Sequence, residues 1–232
     1  MAVMTRVTPI VALDVANAPA ALDIVDLLGD RCRFYKIGSE LFTAEGPAII
    51  KSVRSRGAEV FLDLKFHDIP NTVRGSVRSA AVLGVKLLTV HASGGEAMLQ
   101  AAVEGAGDRC GILAVTVLTS LDTRALSHTW GKAVDDMPSE VLRLATLARA
   151  AGVPGIVCSG REAAAVRAMF GESLFTLVPG IRLAGGDSQD QARVVTPHEA
   201  AAAGARYIVL GRAVTAAKSP RDAMSAVLSD LS

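Results

Sequence analysis

With 232 residues, half of them hydrophobic and only 4% aromatic, the chain has material for one domain with a large core, expected over residues 1–232. A formal net charge of +1, without a dense Lys/Arg run, excludes a broad nucleic-acid surface. No apolar stretch reaches the roughly 18 residues that suggest a membrane span, and Arg6, Pro9 and Asp14 interrupt the opening segment too early for a signal-peptide core.

In chain order, short apolar runs rich in β-branched residues predict strands over Pro9–Val15, Arg33–Gly38, Glu59–Phe66 and Val85–Ala92. Further strands are predicted over Gly111–Thr119, Gly155–Ser159, Leu174–Pro179 and Tyr207–Gly211. Ala-rich segments between them predict helices over Pro19–Leu28, Pro47–Arg56, Val73–Leu83, Glu96–Gly105, Ser139–Ala151 and Glu162–Phe170, with Arg221–Leu231 after the last strand. Pro138-Ser139 and Ser219-Pro220 mark helix starts, and Gly57, Gly84, Gly152 and Gly204 stand where helices should stop. One long excursion, Ser120–Met137, separates the fifth strand from its helix. Strict alternation with short connections implies parallel strands joined by right-handed crossovers, and eight such units suggest a closed (β/α)8 TIM barrel, with a doubly wound open sheet as the runner-up.

Cys32, Cys110 and Cys158 are odd in number, lack metal-ligand spacing and lie in or near apolar runs. They read as reduced core thiols, which makes the expected compartment the cytoplasm.

A barrel carries its chemistry at the C-terminal ends of its strands. Asp14, Lys36, Asp63, Lys65, His91, Thr119, Arg182 and Arg212 each come late in an apolar run. Asp63 and Lys65 are two apart on one strand, so both side chains should point to the same face while Leu64 points to the other. Lys36, on the adjacent strand, can join them, and Asp68 would be the last member of an alternating Lys–Asp–Lys–Asp array. A lysine between two carboxylates stays protonated, which suits Lys65 to give a proton to a developing carbanion. A structural ion-pair network at the rim is the bland alternative.

The ends of the last two strands, Val178-Pro-Gly-Ile-Arg182 and Val209-Leu-Gly211-Arg212, are where many barrels bind phosphate. Gly211 would admit close backbone approach and Arg212 would supply charge-assisted hydrogen bonds. Leu183–Gln191, rich in Gly, Asp, Ser and Gln, has the composition of a loop that orders over a ligand, with Gln191 reaching either phosphate or base.

The segment Asp63-Leu-Lys65-Phe-His-Asp68-Ile-Pro-Asn-Thr72 resembles the signature of the orotidine 5′-monophosphate decarboxylase family. The Asp-x-Lys-x-x-Asp part is shared with related barrels, and the His-Asp-Ile-Pro-Asn-Thr extension is more specific. The likeness continues through Ala12-Leu-Asp14, Lys36-Ile-Gly38, Val90-His-Ala-Ser-Gly-Gly95, Val117-Leu-Thr-Ser120, Pro179-Gly-Ile-Arg182, Asp190-Gln191 and Leu210-Gly-Arg212. The resemblance implies cofactor-free, metal-free decarboxylation of orotidine 5′-monophosphate to UMP, the last step of de novo pyrimidine nucleotide synthesis. It makes Lys65 the proton donor to C6, sets Asp63 beside the departing carboxylate, and has Lys36 bridge ribose and carboxylates. Asp14 would bind ribose hydroxyls, Thr119 and Ser120 the pyrimidine, and Arg182, Gln191, Gly211 and Arg212 the phosphate. Asp68 and Thr72 would serve the neighbouring subunit's site, making the active form a homodimer; His91 is given a supporting role only.

Two other readings stand beside this one. A Mg²⁺-dependent decarboxylase or aldolase of sugar phosphates shares the shorter motif, although the Pro-Asn-Thr extension and the Thr119-Ser120 pair speak against it. A non-catalytic phosphate-ligand barrel would leave the compensated Asp–Lys cluster without a purpose.

Overall fold

The computed structural model describes residues 7–183 and 194–232. Eight parallel strands close into a barrel in sequence order: β1 (Thr8–Ala12), β2 (Phe34–Gly38), β3 (Glu59–Phe66), β4 (Leu87–His91), β5 (Gly111–Val115), β6 (Gly155–Val157), β7 (Phe175–Val178) and β8 (Tyr207–Leu210). Pairing of β1 with β8, from Thr8 opposite Tyr207 to Val11 opposite Leu210, shuts the cylinder. The open-sheet alternative is therefore excluded.

Among the described residues the helices are α1 (Ala18–Leu28), α2 (Ser39–Glu45), α3 (Ala48–Arg54), α4 (Pro70–Val82), α5 (Glu96–Ala106), α6 (Thr123–Trp130), α7 (Met137–Ala150), α8 (Gly160–Phe170), α9 (Pro197–Ala202), α10 (Arg212–Thr215) and α11 (Pro220–Asp230). All seven helices expected from sequence are present within a few residues of their predicted bounds. Two predicted starts carry true caps: the Asp136 carboxylate accepts the Ser139 N–H ahead of α7, and the Ser219 hydroxyl accepts the Asp222 N–H ahead of α11. The four glycines expected to stop helices all have positive φ, from 75° at Gly57 to 82° at Gly152 and Gly204, where a side chain would be strained.

Four helices were not expected: α2, α6, α9 and α10. The long excursion holds one of them, α6, with Asp122 capping the Ala125 N–H and Gly131 closing the helix in the left-handed region. Strand boundaries also contract. The run read as Gly111–Thr119 leaves the sheet after Val115, and Val85–Ala92 shortens to Leu87–His91, because an apolar run continues into buried connections that belong to no ladder.

Alternation along each strand divides the core in two. Ile10, Ala12, Phe34, Phe61, Leu87 and Leu113 point into the barrel, with Leu177 and Val209 completing that inner cluster. Their neighbours in sequence, such as Val11, Tyr35, Ile37, Leu62 and Leu88, pack outward beneath the helices. The N-terminal end of the barrel is plugged by aromatic rings: Tyr207 meets Phe34 and Phe175 edge-on at 5.9 and 5.6 Å, and the Arg206 guanidinium lies 5.0 Å over Phe175. Such packing closes the barrel interior at this end, and the cavity reached by the inward side chains opens at the C-terminal one.

Candidate active site

One layer above the inner apolar cluster, the strands stop presenting hydrocarbon and present ions. Continuing the inward positions of β1, β2 and β3 past Ala12, Phe34 and Phe61 gives Asp14, Lys36 and Asp63, and the next inward position on β3 is Lys65. Lys36 is buried, with 9% of its surface exposed, so its ammonium needs partners in place. It donates to Asp14 Oδ1 at 2.8 Å and lies 3.7 Å from Asp63 Oδ2, which itself accepts from Lys65 Nζ at 2.8 Å. The result is a continuous chain of alternating charge, Asp14–Lys36–Asp63–Lys65, across three strands. Gly38 makes room for it: a Cβ there would come within 3.1 Å of Lys36 Nζ and 3.3 Å of Asp14 Oδ1.

Burial pushes the Asp63 carboxyl up, but the Lys36 and Lys65 charges and hydrogen bonds from Lys65 and Thr89 outweigh it and hold the group below its ordinary range. Asp63 is therefore a fixed negative charge at neutral pH. Its geometry departs from plain strand alternation. Between Leu62 opposite Leu88 and Phe66 opposite Val90, β3 advances four residues while β4 advances two, and Lys65 takes φ 49° within this bulge. A non-glycine residue in the left-handed region stores strain, and it does so here at the lysine that ends the array.

The array forms one wall of a cavity of about 470 Å³, within the usual size of a small-ligand site. Of the residues singled out from sequence, Asp14, Lys36, Asp63, Lys65, Thr119, Arg182, Gly211 and Arg212 all line it. Val115, Val117, Leu118 and Pro179 supply apolar surface between the two polar ends. At the far end, Gly180 turns with φ 77°, and the next residues pair with the returning chain through a bridge of Ile181 with Val195. The Arg182 N–H donates to the Val195 carbonyl at 3.0 Å, and its guanidinium donates to the Ile181 carbonyl at 2.9 Å. Arg212 opens α10, and the space beside Gly211 is open, with no atom within 4 Å of where a Cβ would stand.

Three expected residues are not on this cavity. Ser120 is exposed in the turn after Leu118, and Thr72 is exposed on the first turn of α4. Asp68 does not extend the ion array within its own chain: its side chain is exposed and accepts the Ile69 N–H at 2.6 Å, because the chain has left β3 and is turning into α4. Gln191 lies outside the described residues, as does most of the Leu183–Gln191 segment.

His91 ends β4 and its ring lies 5.4 Å from that of His67. Burial, then the nearby His67 and Lys65, push its pKa below the ordinary histidine value against the opposing pull of Asp63, so the ring is neutral at neutral pH. Cys32, Cys110 and Cys158 are thiols outside any disulfide, with Cys32 and Cys158 buried. Among the described residues no three His, Cys, Asp or Glu side chains gather as a metal-ligand group, and no helix is long and apolar enough to cross a membrane.

Sequence reasoning passed over Gly38 as a packing requirement and Thr89 altogether. Thr89 is fully buried, and its hydroxyl joins Asp63 to the Lys65 backbone. The available signal was a lone polar residue at an inward position of the run Leu87-Leu-Thr-Val-His.

Comparison with known proteins identifies the family of the chain. The model of the orotidine 5′-phosphate decarboxylase / HUMPS family matches residues 8–227. An orotidine 5′-phosphate decarboxylase of Moorella thermoacetica is 46% identical over 230 residues, spanning 96% of this chain and 91% of that protein. Its counterpart in an Anaeromyxobacter species is 50% identical over 220 residues, spanning 95% and 96%. The crystal structure of orotidine 5′-phosphate decarboxylase from Lactobacillus acidophilus superposes with a TM-score of 0.86 at 36% identity, covering 97% of this chain and 98% of that one. With the match running through every strand and helix that builds the cavity, the chain belongs to the orotidine 5′-phosphate decarboxylase / HUMPS family.

Proposed function

We propose that this protein converts orotidine 5′-monophosphate to UMP, with Lys65 as the proton donor. The observation that carries the mechanism is the Asp14–Lys36–Asp63–Lys65 array on one wall of a cavity that Arg182, Gly211 and Arg212 also line.

In this reading the arginines and the Gly211 backbone hold the phosphate, Asp14 and Lys36 the ribose, and Thr119 with the neighbouring apolar wall the pyrimidine. That leaves the C6 carboxylate beside Asp63. The C6–carboxylate bond breaks, carbon dioxide departs, and the electron pair remains on C6. The Lys65 ammonium donates its proton to C6, and the neutral amine then regains a proton from solvent. No electron sink in the pyrimidine receives the pair, so stabilisation falls to charges fixed before the reaction, with Lys65 nearest the developing negative centre. Enzymic rate enhancements require barrier reductions of roughly 8–23 kcal/mol, so remote phosphate contacts must also contribute by holding the reacting carbon against Lys65.

Asp68 and Thr72 complete a neighbouring subunit's site in a homodimer, as does Gln191 the phosphate set of its own. What supports the first assignment is that Asp68 and Thr72 lie outside their own cavity, beside Ile69, an apolar side chain left 68% exposed. Three cysteines outside any disulfide support a cytoplasmic location, where cysteines remain reduced.

The test follows the ultraviolet absorbance of orotidine 5′-monophosphate with purified protein in EDTA. Expected is rapid conversion to UMP that resists chelation and is abolished in Lys65→Ala. A folded wild-type protein without turnover would overturn the proposal, and sugar-phosphate turnover that EDTA stops would support the other branch of the family.

A further inference from the structure

Thr89 stands where a single hydroxyl reaches both the Asp63 carboxylate and the Lys65 backbone. Its Oγ1 is 2.9 Å from Asp63 Oδ1 and 2.9 Å from the Lys65 backbone nitrogen. The direction of each bond follows from chemistry alone. A backbone N–H can only donate, so the hydroxyl accepts from Lys65; an ionised carboxylate can only accept, so the hydroxyl gives its one proton to Asp63. Each oxygen of Asp63 is thereby assigned, Oδ1 to Thr89 and Oδ2 to the Lys65 and Lys36 ammoniums.

The same contact supports the backbone. The Lys65 N–H belongs to the stretch in which β3 bulges away from β4, so the regular ladder supplies it no carbonyl there. Thr89, fully buried on β4, provides the acceptor instead. It faces the bulge from the strand opposite, at the residue whose φ of 49° must be held against its own preference.

We propose that Thr89 is a positioning residue of the decarboxylation reaction: its hydroxyl fixes the Asp63 carboxylate and the Lys65 backbone together, so that the Lys65 ammonium meets C6 at the required angle. The inference rests on the function proposed above, and it touches neither substrate nor the phosphate end of the cavity.

The experiment compares wild type with Thr89→Val, which keeps the shape and removes the hydroxyl, and Thr89→Ser, which keeps the hydroxyl and removes the methyl. Steady-state kinetics on orotidine 5′-monophosphate should show kcat reduced roughly ten- to hundredfold in Thr89→Val, the range set by one hydrogen bond to a charged group, with KM within about twofold. Thr89→Ser should recover most of that loss. Titration of the Asp63 carboxyl by carbon-13 NMR supplies a second readout independent of turnover. Lys36, Lys65, Asp14 and His91 face or neighbour this carboxylate and are unchanged in the variants, so loss of the hydroxyl alone should raise the Asp63 midpoint in Thr89→Val and leave it in place in Thr89→Ser. If Thr89→Val does not fold, Thr89→Ala removes the hydroxyl without forcing a methyl into its place and takes the same measurements. Wild-type kcat and an unmoved Asp63 midpoint in the hydroxyl-free variant would overturn the inference, as would equal impairment of the Val and Ser variants. Absence of turnover in wild type would instead sink the proposed function, while the titration still decides whether Thr89 holds Asp63.

Discussion

At the scale of single residues, the site is a problem of keeping four ions at the mouth of a hydrocarbon barrel. Lys36 and Asp63 have side chains only 11% and 13% exposed, and each is tolerated because the other and its flanking partner are within reach. Asp63→Asn keeps the volume and removes the charge between two ammoniums. We expect it to cost about 2 kcal/mol in urea unfolding at pH 7, less than for a fully enclosed pair because Lys65 and Asp14 reach the cavity. The sign with pH is fixed by the depressed Asp63 pKa: its contribution is complete above the unfolded carboxyl value near 3.8 and is lost as pH falls through the lower folded value. The stability gap between wild type and Asp63→Asn should therefore stay level from pH 7 to about 4 and close below that; a gap that closes between pH 7 and 5 would contradict the assignment. At the other end of the cavity, Arg212→Ala is expected to raise KM at least tenfold, roughly the value of a charge-assisted hydrogen bond, while the Lys65 end is left intact. An unchanged KM would remove Arg212 from the phosphate site.

Among the elements, β3 and the two helices after it govern the most. The bulge in β3 sets the reach of Lys65, and α4 begins only four residues after β3 ends, so Asp68 and Thr72 are carried outward on a rigid start rather than a loop. Behind them α4 is clamped to α5 at Gly105, where a Cβ would come within 2.5 Å of the Arg74 carbonyl oxygen. Backbone cannot move aside as a side chain can, so Gly105→Ala should destabilise the protein by about 1–3 kcal/mol through forced separation of the helices. Unfolding that matches wild type would show that the two helices have slack. The helices missed from sequence share a cause. α2, α9 and α10 are too short to show a full apolar stripe, although α9 carries a legible capping box in Thr196 and Glu199. In α6 the cap residues Asp122 and Gly131 were equally legible, but Ala125, Leu126 and Trp130 are too few apolar residues to mark the helix between them.

For the whole molecule, closure of the barrel is what converts scattered motifs into one site. Asp14 and Arg212 are 198 positions apart in number, yet they line one cavity because β1 and β8 are neighbours. The proposed dimer extends the same logic across a second chain. Mixing Lys65→Ala with Asp68→Ala subunits should restore part of the activity each lacks alone, since one heterodimer site then holds both native residues. No recovery despite proven subunit exchange would confine Asp68 to a role in its own chain.

The periodicity of apolar runs alone was enough for parallel strands alternating with helices, because a parallel strand buried on both faces has few other ways to be written. The pairing of β1 with β8 decided for a closed barrel over an open sheet. Strand-end position alone was enough to bring Asp14, Lys36, Asp63, Lys65, Arg182 and Arg212 to one cavity, since the C-terminal rim is where a packed barrel admits charge. Tertiary structure decided what depends on neighbours distant in sequence. It separated Asp68 from the array, drew Thr89 into it across the β3–β4 bulge, and required Gly38 to be bare beneath two side chains from other positions. Pattern reports which way a side chain leaves its own strand; the partner it meets there is set by the register and distortion of the strand beside it.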